Sequence, residues 1–267
     1  MKKIRVFVSG ASGKMGQEVV RTLLQQDDMV LAGAADTRNQ GMDLGYVIGA
    51  TPIGVDLGGP LSTESLLVSR ADVLVDFTNP QSVLRNAKTA ISHGVVPVIG
   101  TTGLDETEIG EIRDLVNKEG VGAFIAPNFA LGAILMMRFA RDAAKYFPNV
   151  EIIELHHDQK LDAPSGTALK TAEWISEVRQ AMVQGHPNEY EKLDGARGAN
   201  YAGMRIHSVR LPGLIAHQEV IFGATGQALT IRHDAFSRET YMAGVMLAIR
   251  KAVQSTELVI GLENFLD

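Results

Sequence analysis

Short apolar runs alternate with amphipathic stretches through the first half of the chain. The apolar runs lie at residues 4–8, 30–35, 73–77, 95–99 and 123–126. Two stretches with helical patterning, 80–92 and 106–119, separate the later runs. Strands of a parallel sheet are buried on both faces, so they appear as continuous apolar runs with helical crossovers between them. The pattern therefore predicts an α/β domain with a doubly wound parallel sheet.

A different pattern begins after residue 127. Helical stretches are predicted at 131–146, 165–182 and 239–254. Strands are predicted at 150–156, 205–211, 216–223 and 227–234, with a polar, Gly-rich loop at 184–203. Three strands in direct succession are typical of antiparallel or mixed pairing. We therefore expect a first domain over residues 1–127 and a smaller α+β domain with a mixed or antiparallel sheet over 128–238.

Composition narrows the class of protein. The 267 residues carry 25 Lys and Arg against 31 Asp and Glu, so the net charge of −6 indicates no nucleic-acid partner. The chain has no cysteine, which excludes disulfides, thiolate metal sites and a cysteine nucleophile. The first apolar run is too short for a secretion signal, and no run approaches the ~18 residues of a membrane span. We expect a soluble, cytoplasmic protein without a membrane partner.

Three glycines follow the first apolar run. Gly10, Gly13 and Gly16 have the spacing G-x-x-G-x-x-G, and apolar residues then recur at helical spacing. Such a turn lets the backbone approach a pyrophosphate, whose charge meets the N–H groups of the helix start. Asp36 follows the second predicted strand. This order of strand, glycine turn, helix, strand and acid predicts a Rossmann-type dinucleotide site.

The choice between NAD and NADP stays open. Asp36 can accept hydrogen bonds from ribose hydroxyls, which favours NAD, whereas Lys14 and Arg38 could pair with a 2′-phosphate, which favours NADP. Two later loops, Gly100-Thr101-Thr102-Gly103 and Ala126-Pro127-Asn128-Phe129, each follow a predicted strand. Ligands of an open parallel sheet lie beyond the carboxyl ends of its strands. We therefore expect both loops near the nicotinamide end of the cofactor.

The densest cluster of reactive side chains lies between residues 154 and 168. It contains His156, His157 and Lys160, followed by Ser165 at the start of a predicted helix. Histidine exchanges protons near neutral pH, lysine binds carboxylates, and a helix start attracts anions. If both histidines continued in a regular strand, their side chains would lie on opposite faces. The cluster predicts acid–base chemistry on a small carboxylate-bearing molecule.

These motifs resemble those of the 4-hydroxy-tetrahydrodipicolinate reductase family, also called dihydrodipicolinate reductase. The resemblance spans nearly the whole chain, and its most specific part is His156-His157-x-x-Lys160-x-Asp162-Ala163-Pro164-Ser165-Gly166-Thr167. It implies a two-domain enzyme of diaminopimelate and lysine biosynthesis that uses NADH or NADPH. Such an enzyme reduces a cyclic dicarboxylate to tetrahydrodipicolinate. The resemblance also implies a homotetramer joined through the sheet of the second domain, with residues 239–267 returning to the first.

The resemblance further implies a role for each motif residue. His156 would give or take a proton, and Lys160 would be a second proton donor. The substrate would be bound by His157, Ser165, Gly166 and Thr167. The dinucleotide would be bound by Gly10, Ala11, Ser12, Gly13, Lys14, Met15, Asp36, Arg38, Gly100, Thr101, Thr102, Ala126, Pro127, Asn128 and Phe129. The family often carries arginine directly after its acidic ribose contact, whereas this chain has Thr37 there and Arg38 next.

Two other hypotheses account for parts of the sequence. Another Rossmann-type reductase of an amino-acid precursor would leave the His-His-x-x-Lys segment unexplained, and aspartate semialdehyde dehydrogenase needs the cysteine that this chain lacks. A dinucleotide-sensing module would bind NAD(H) without turnover, but the net acidity and the proton-donor cluster disfavour it. The histidines show no H-E-x-x-H motif and no known zinc spacing, so no catalytic metal is expected.

Overall fold

The computed structural model describes residues 2–266 and contains two compact units. The first unit is formed by the residues up to Phe129 together with those from Tyr241 onward, and the second by Ala130–Thr240. Among the described residues, no helix is long and apolar enough to cross a membrane.

Strands and helices are numbered here in chain order. The strands are β1 (Ile4–Ser9), β2 (Met29–Ala35), β3 (Leu57–Gly58), β4 (Val73–Asp76), β5 (Val96–Ile99), β6 (Ala123–Ile125), β7 (Asn149–His156), β8 (Ala199–Tyr201), β9 (Met204–Arg210), β10 (Ala216–Ala224), β11 (Gln227–Ala235) and β12 (Leu258–Ile260). The α-helices are α1 (Lys14–Leu23), α2 (Leu44–Val47), α3 (Thr63–Ser69), α4 (Pro80–Ile91), α5 (Glu106–Glu119), α6 (Leu131–Ala144), α7 (Gly166–Ser176) and α8 (Met242–Ala252).

The first unit is built on a parallel sheet with the strand order β12-β6-β5-β4-β1-β2-β3. Its central strands are apolar and fully buried, as Val6, Val75 and Val98 illustrate. The predicted doubly wound parallel sheet is therefore confirmed. The strand order reverses between β1 and β4, because the chain runs outward through β2 on one side and through β5 on the other. A ligand crevice is expected at that reversal, beyond the carboxyl ends of the strands.

The second unit is built on a mixed sheet with the order β11-β10-β7-β9-β8. Strand β7 pairs in parallel with β9 and antiparallel with β10. Helices α6 and α7 pack against each other and cover one face, where α7 contacts β7 and α6 contacts β10 and β11. Side chains alternate across a strand, so Val150, Ile152 and Glu154 of β7 are buried under the helices. The predicted mixed sheet is confirmed.

Helix α7 is shorter than the patterning predicts. The apolar spacing predicts a helix through residue 182, but α7 ends at Ser176. Arg179 is buried just after it and donates hydrogen bonds to the main-chain carbonyls of Pro148, Met182 and Ala202. These bonds hold the chain after α7 in a turn, which a continued helix would break. Strand β8 lies within the region that was predicted to be a loop.

Candidate active site

The glycine turn after β1 is closely packed against main-chain atoms. Gly10 has a φ of +82°, and a Cβ built on it would lie 2.3 Å from the carbonyl oxygen of Phe77. A Cβ on Gly16 would lie 2.1 Å from the carbonyl oxygen of Gly10. Gly13 caps α1 without a side-chain hydrogen bond, and the first turn of α1 contains no acidic residue. The N–H groups of residues 10–13 already donate to acceptors in the protein, so the N–H groups suited to an anionic phosphate are those of the first turn of α1.

Asp36 lies at the carboxyl end of β2, beside this turn. Its carboxylate accepts hydrogen bonds from the backbone N–H of Ser12 at 2.9 Å and of Arg38 at 3.0 Å. Its side chain is 8% exposed, whereas that of Arg38 is 67% exposed and its Nε lies 3.7 Å from an Asp36 oxygen. A carboxylate has about four lone-pair sites, so Asp36 retains capacity for a ribose hydroxyl.

A cleft of about 190 Å³ runs along the carboxyl ends of these strands. Its walls include four of the predicted residues, namely Gly10, Gly13, Asp36 and Arg38. The cleft is also lined by Thr78, Asn79 and Arg85, which are not among the predicted residues. Thr78 and Asn79 lie just beyond β4 and Phe77, at the same end of the sheet as the loops after β5 and β6, so their position in the chain could have indicated them. A glycine cradle, an uncapped helix start and a carboxylate at this cleft fit a dinucleotide.

The loops after β5 and β6 differ in what their side chains do. The hydroxyl of Thr101 donates a 2.7 Å hydrogen bond to the buried carboxylate of Asp76, and Gly100 packs against the ring of Phe77. Thr102 and Pro127 are exposed. The ring of Phe129 is buried against Phe77 and Phe124. That ring belongs to the core of the first unit, so any contact of Phe129 with a ligand would be made by its main chain.

In the second unit, the reactive segment begins where β7 ends. His156 is the last residue of β7, whereas His157 follows the strand and is exposed. The two histidines therefore do not share a regular strand, and the alternation rule does not apply to His157. The Nδ1 atom of His156 lies 2.5 Å from Oε2 of Glu154. Lys160 donates a 2.7 Å hydrogen bond from Nζ to Asp162.

A carboxylate that is not among the predicted site residues lies beside His156. Glu154 is fully buried and forms a two-pronged ion pair with Arg210, at 2.9 Å to Oε2 and 2.7 Å to Oε1. Burial alone would raise the pKa of Glu154, but hydrogen bonds from His156, Arg210 and Ser208 outweigh it and lower the pKa to about 2. Arg210 is far from this segment in the sequence, so no local spacing indicates it.

The segment ends at the start of α7. Ser165 is buried, and its Oγ accepts a 3.2 Å hydrogen bond from the backbone N–H of Ala168. The first turn of α7 contains no acidic residue, and a Cβ on Gly166 would meet open space. A carboxylate can therefore approach this helix start, which carries a partial positive charge. Thr167 is the second residue of the helix.

Across the part of the chain that the structure describes, three or more His, Asp or Glu side chains are nowhere grouped to hold a metal ion. His156 and Lys160 each have one carboxylate as a hydrogen-bond partner, namely Glu154 and Asp162.

Comparison with known proteins identifies the family of the chain. Family models described as the N-terminus and the C-terminus of dihydrodipicolinate reductase match residues 4–129 and 132–266. The chain is 72% identical over its full length to the whole 4-hydroxy-tetrahydrodipicolinate reductase of Desulfitobacterium hafniense (strain DSM 10664 / DCB-2). It is 53% identical over 99% of its length to the whole enzyme of that name from Listeria monocytogenes serotype 4b (strain CLIP80459). A solved structure, the dipicolinate-bound dihydrodipicolinate reductase from Paenisporosarcina sp. TG-14, has a TM-score of 0.87 at 49% identity and covers 99% of this chain and 100% of its own. The chain belongs to the dihydrodipicolinate reductase family.

Proposed function

We propose that the chain reduces 4-hydroxy-tetrahydrodipicolinate to tetrahydrodipicolinate with a pyridine nucleotide, a step of diaminopimelate and lysine biosynthesis. The dinucleotide, when bound, would supply the hydride. The 4-hydroxyl group is lost as water, so the step consumes one hydride and one proton overall. The observation that carries the proposal is that the segment from His156 to Thr167 combines a proton donor, an ammonium group and a helix start. A cyclic dicarboxylate that gains a hydride needs a proton source, and it needs positively charged partners for its two carboxylates.

His156 is the first proton donor of the proposed reaction. The carboxylate of Glu154 is ionised at neutral pH and can only accept a hydrogen bond, so Nδ1 of His156 carries a hydrogen. In its proton-donating imidazolium form His156 carries a hydrogen on each ring nitrogen, and the proton that it gives to the substrate is the one on Nε2. The neutral ring that remains keeps its hydrogen on Nδ1, toward Glu154. Lys160 is a second proton donor and a partner for one substrate carboxylate. The start of α7, with Ser165, Gly166 and Thr167, holds the other carboxylate, and His157 is a further substrate contact.

The first unit binds the dinucleotide in this proposal. The glycine turn from Gly10 to Met15 holds the pyrophosphate, and Asp36 accepts a ribose hydroxyl. The loops after β5 and β6 lie at the carboxyl end of the sheet, on the nicotinamide side. The chain uses both NADH and NADPH, because Asp36 repels a 2′-phosphate while the exposed guanidinium of Arg38 attracts it.

The reaction is tested by following loss of the reduced-nicotinamide absorbance with freshly generated substrate. We expect substrate-dependent oxidation of both NADH and NADPH. The two kcat/KM values should differ by less than about tenfold, since the opposing charges of Asp36 and Arg38 offset each other within about 1.4 kcal/mol. Measurable dinucleotide binding without oxidation of either cofactor would contradict the proposal and favour a sensing role.

The proposed assembly is a homotetramer joined through the open face of the second sheet. On the face of that sheet away from α6 and α7, Ile153, Leu155, Val209 and Ile221 are only partly buried. Leu155 pairs directly with Val209, and Ile221 lies diagonal to Ile153, so these partly exposed apolar residues are neighbours on one face and favour burial against another sheet. We expect light scattering to give about four times the chain mass, and Ile221→Glu to reduce it by placing a charge on this face. A monomeric wild-type protein would contradict this assembly.

A further inference from the structure

The buried carboxylate of Glu154 connects His156, the main chain near Lys160 and the start of α7. Glu154 accepts hydrogen bonds from Nδ1 of His156, from both terminal nitrogens of Arg210 and from the backbone N–H of Ser165 at 3.3 Å. The side chain of Glu154 is fully buried, and the side chain of His156 is 15% exposed. The imidazole is therefore held from the protein side by one carboxylate, and its other ring nitrogen remains for a ligand.

Arg210 extends this arrangement to Lys160. The same Nη2 atom that binds Glu154 also donates a 2.8 Å hydrogen bond to the carbonyl oxygen of Asp162. The carboxylate of Asp162 in turn accepts the hydrogen bond from Nζ of Lys160. The main chain that carries Lys160 is thus anchored to the ion pair beneath His156. The backbone N–H of Ser165 ties the start of α7 to the same carboxylate.

The sheet itself explains how these groups meet. Strands β7 and β9 are parallel neighbours, with Glu154 opposite Ser208 and His156 opposite Arg210. Glu154 and His156 are two residues apart on one strand, so their side chains lie on the same face. The long side chain of Arg210 reaches back along β7 by two residues, from His156 to Glu154. The ion pair is therefore set by strand register, which is more rigid than the loop that follows.

We propose that Glu154 is a positioning residue for the reaction: it holds the ring of His156 in one orientation, with a hydrogen on Nδ1. Arg210 in turn holds both Glu154 and the main chain near Lys160 in place. This proposal rests on the role of His156 in the proposed function. Glu154 touches neither substrate nor cofactor in this assignment, and it acts on the reaction through the ring of His156. An ionised carboxylate selects the Nδ1–H form because it offers acceptors only.

The substitution Glu154→Gln tests the proposal because it preserves shape and removes the charge. The amide must present its N–H₂ either to Arg210 or to Nδ1 of His156, both of which are donors. We expect kcat to fall about 10- to 100-fold with an unchanged dinucleotide Kd. In ¹⁵N-histidine-labelled enzyme, long-range ¹H–¹⁵N spectra should show the Nδ1–H form of His156 in the wild type and its depletion in the variant.

A matched control lies on the same strand. Glu151 accepts hydrogen bonds from Nε2 of His207 and from Arg197, so it forms a similar carboxylate–histidine–arginine cluster on the opposite face of the sheet. Glu151→Gln should alter the spectrum of His207, leave that of His156 unchanged and leave kcat within about twofold of the wild type at equal oligomeric mass. An equal loss of kcat in both variants would show a general effect of charge removal and overturn the proposal.

A double variant distinguishes an effect of Glu154 through His156 from a general loss of stability. In enzyme that already carries His156→Ala, Glu154→Gln should cost no further kcat, because the residue through which Glu154 acts is absent. A further loss of similar size there would overturn the proposal. If His156→Ala alone leaves kcat intact, the proposed role of His156 fails, and a positioning role for Glu154 in this reaction fails with it.

If Glu154→Gln does not fold, Glu154→Asp provides a second test. The aspartate keeps the negative charge near Arg210 but has a shorter side chain, so it should still deplete the Nδ1–H form of His156. An unchanged histidine spectrum would contradict the proposal.

Discussion

Replacement of His156 by alanine is expected to lower kcat by about 10²- to 10⁴-fold, the usual contribution of a positioned general acid. Among the described residues of the segment 154–168, His156 is the histidine whose Nδ1 is bound to a buried carboxylate, that of Glu154. Its loss leaves the substrate without a proton at the point where the hydride-derived electron density forms. Steady-state kinetics with saturating cofactor give the comparison directly.

The same variant should bind the dinucleotide with wild-type affinity. The residues proposed to hold the dinucleotide, including Gly10 and Asp36, belong to the other compact unit. Fluorescence titration of NADH therefore measures whether the first unit is intact in the variant. His207→Ala provides a matched substitution, because His207 is also bound to a strand carboxylate but lies on the opposite face of the sheet. That face is the one proposed to join subunits, so the two variants are compared at wild-type oligomeric mass. Near-wild-type kcat in His156→Ala, or an equal loss in His207→Ala, would contradict the proton-donor role.

The regular alternation of apolar strands with helical crossovers made the fold of the first unit predictable. Each central strand is an uninterrupted apolar run, and each crossover is helical, so the local pattern and the tertiary burial agree. The region between Asp36 and Val73 was harder, because β3, α2 and α3 are short. Their bounds depend on contacts such as the hydrogen bonds that Asp43 accepts from Gly45, Ile53 and Gly54. Such contacts join separate turns and leave no period in the sequence.

The candidate site was predictable where it is local in the chain. The glycine turn and the His156–Thr167 segment are each continuous, so their residue types and spacing are visible together. Glu154 is part of the same stretch, but an acidic residue in a predicted strand gives no sign that it will be fully buried. Its burial depends on Arg210, which the parallel pairing of β7 and β9 brings beneath it. The positioning network therefore required the sheet register.

Substitution of Gly16 by alanine is expected to destabilise the first unit and weaken dinucleotide binding together. A Cβ at this position would lie 2.1 Å from the carbonyl oxygen of Gly10 and 2.7 Å from Cα of Ala11, both of them main-chain atoms. Helix α1 must then move away from the glycine turn. Overpacking of this kind costs about 1–3 kcal/mol, and we expect at least a ~10-fold rise in the Kd for NADH.

Gly110→Ala is the matched control for this substitution. Gly110 also lies within a helix of the first unit, α5, but a Cβ there would meet no atom within 4 Å. Alanine favours a helix interior over glycine by about 0.5–1 kcal/mol, so Gly110→Ala should raise the denaturation midpoint while Gly16→Ala lowers it. Urea unfolding and NADH titration of the two variants provide the measurements. The same residue change thus has opposite signs in two helices, because Gly16 packs on the turn that is proposed to hold the pyrophosphate, whereas a Cβ on Gly110 enters open space. Equal behaviour of the two variants would show that the close approach of α1 to this turn is not required.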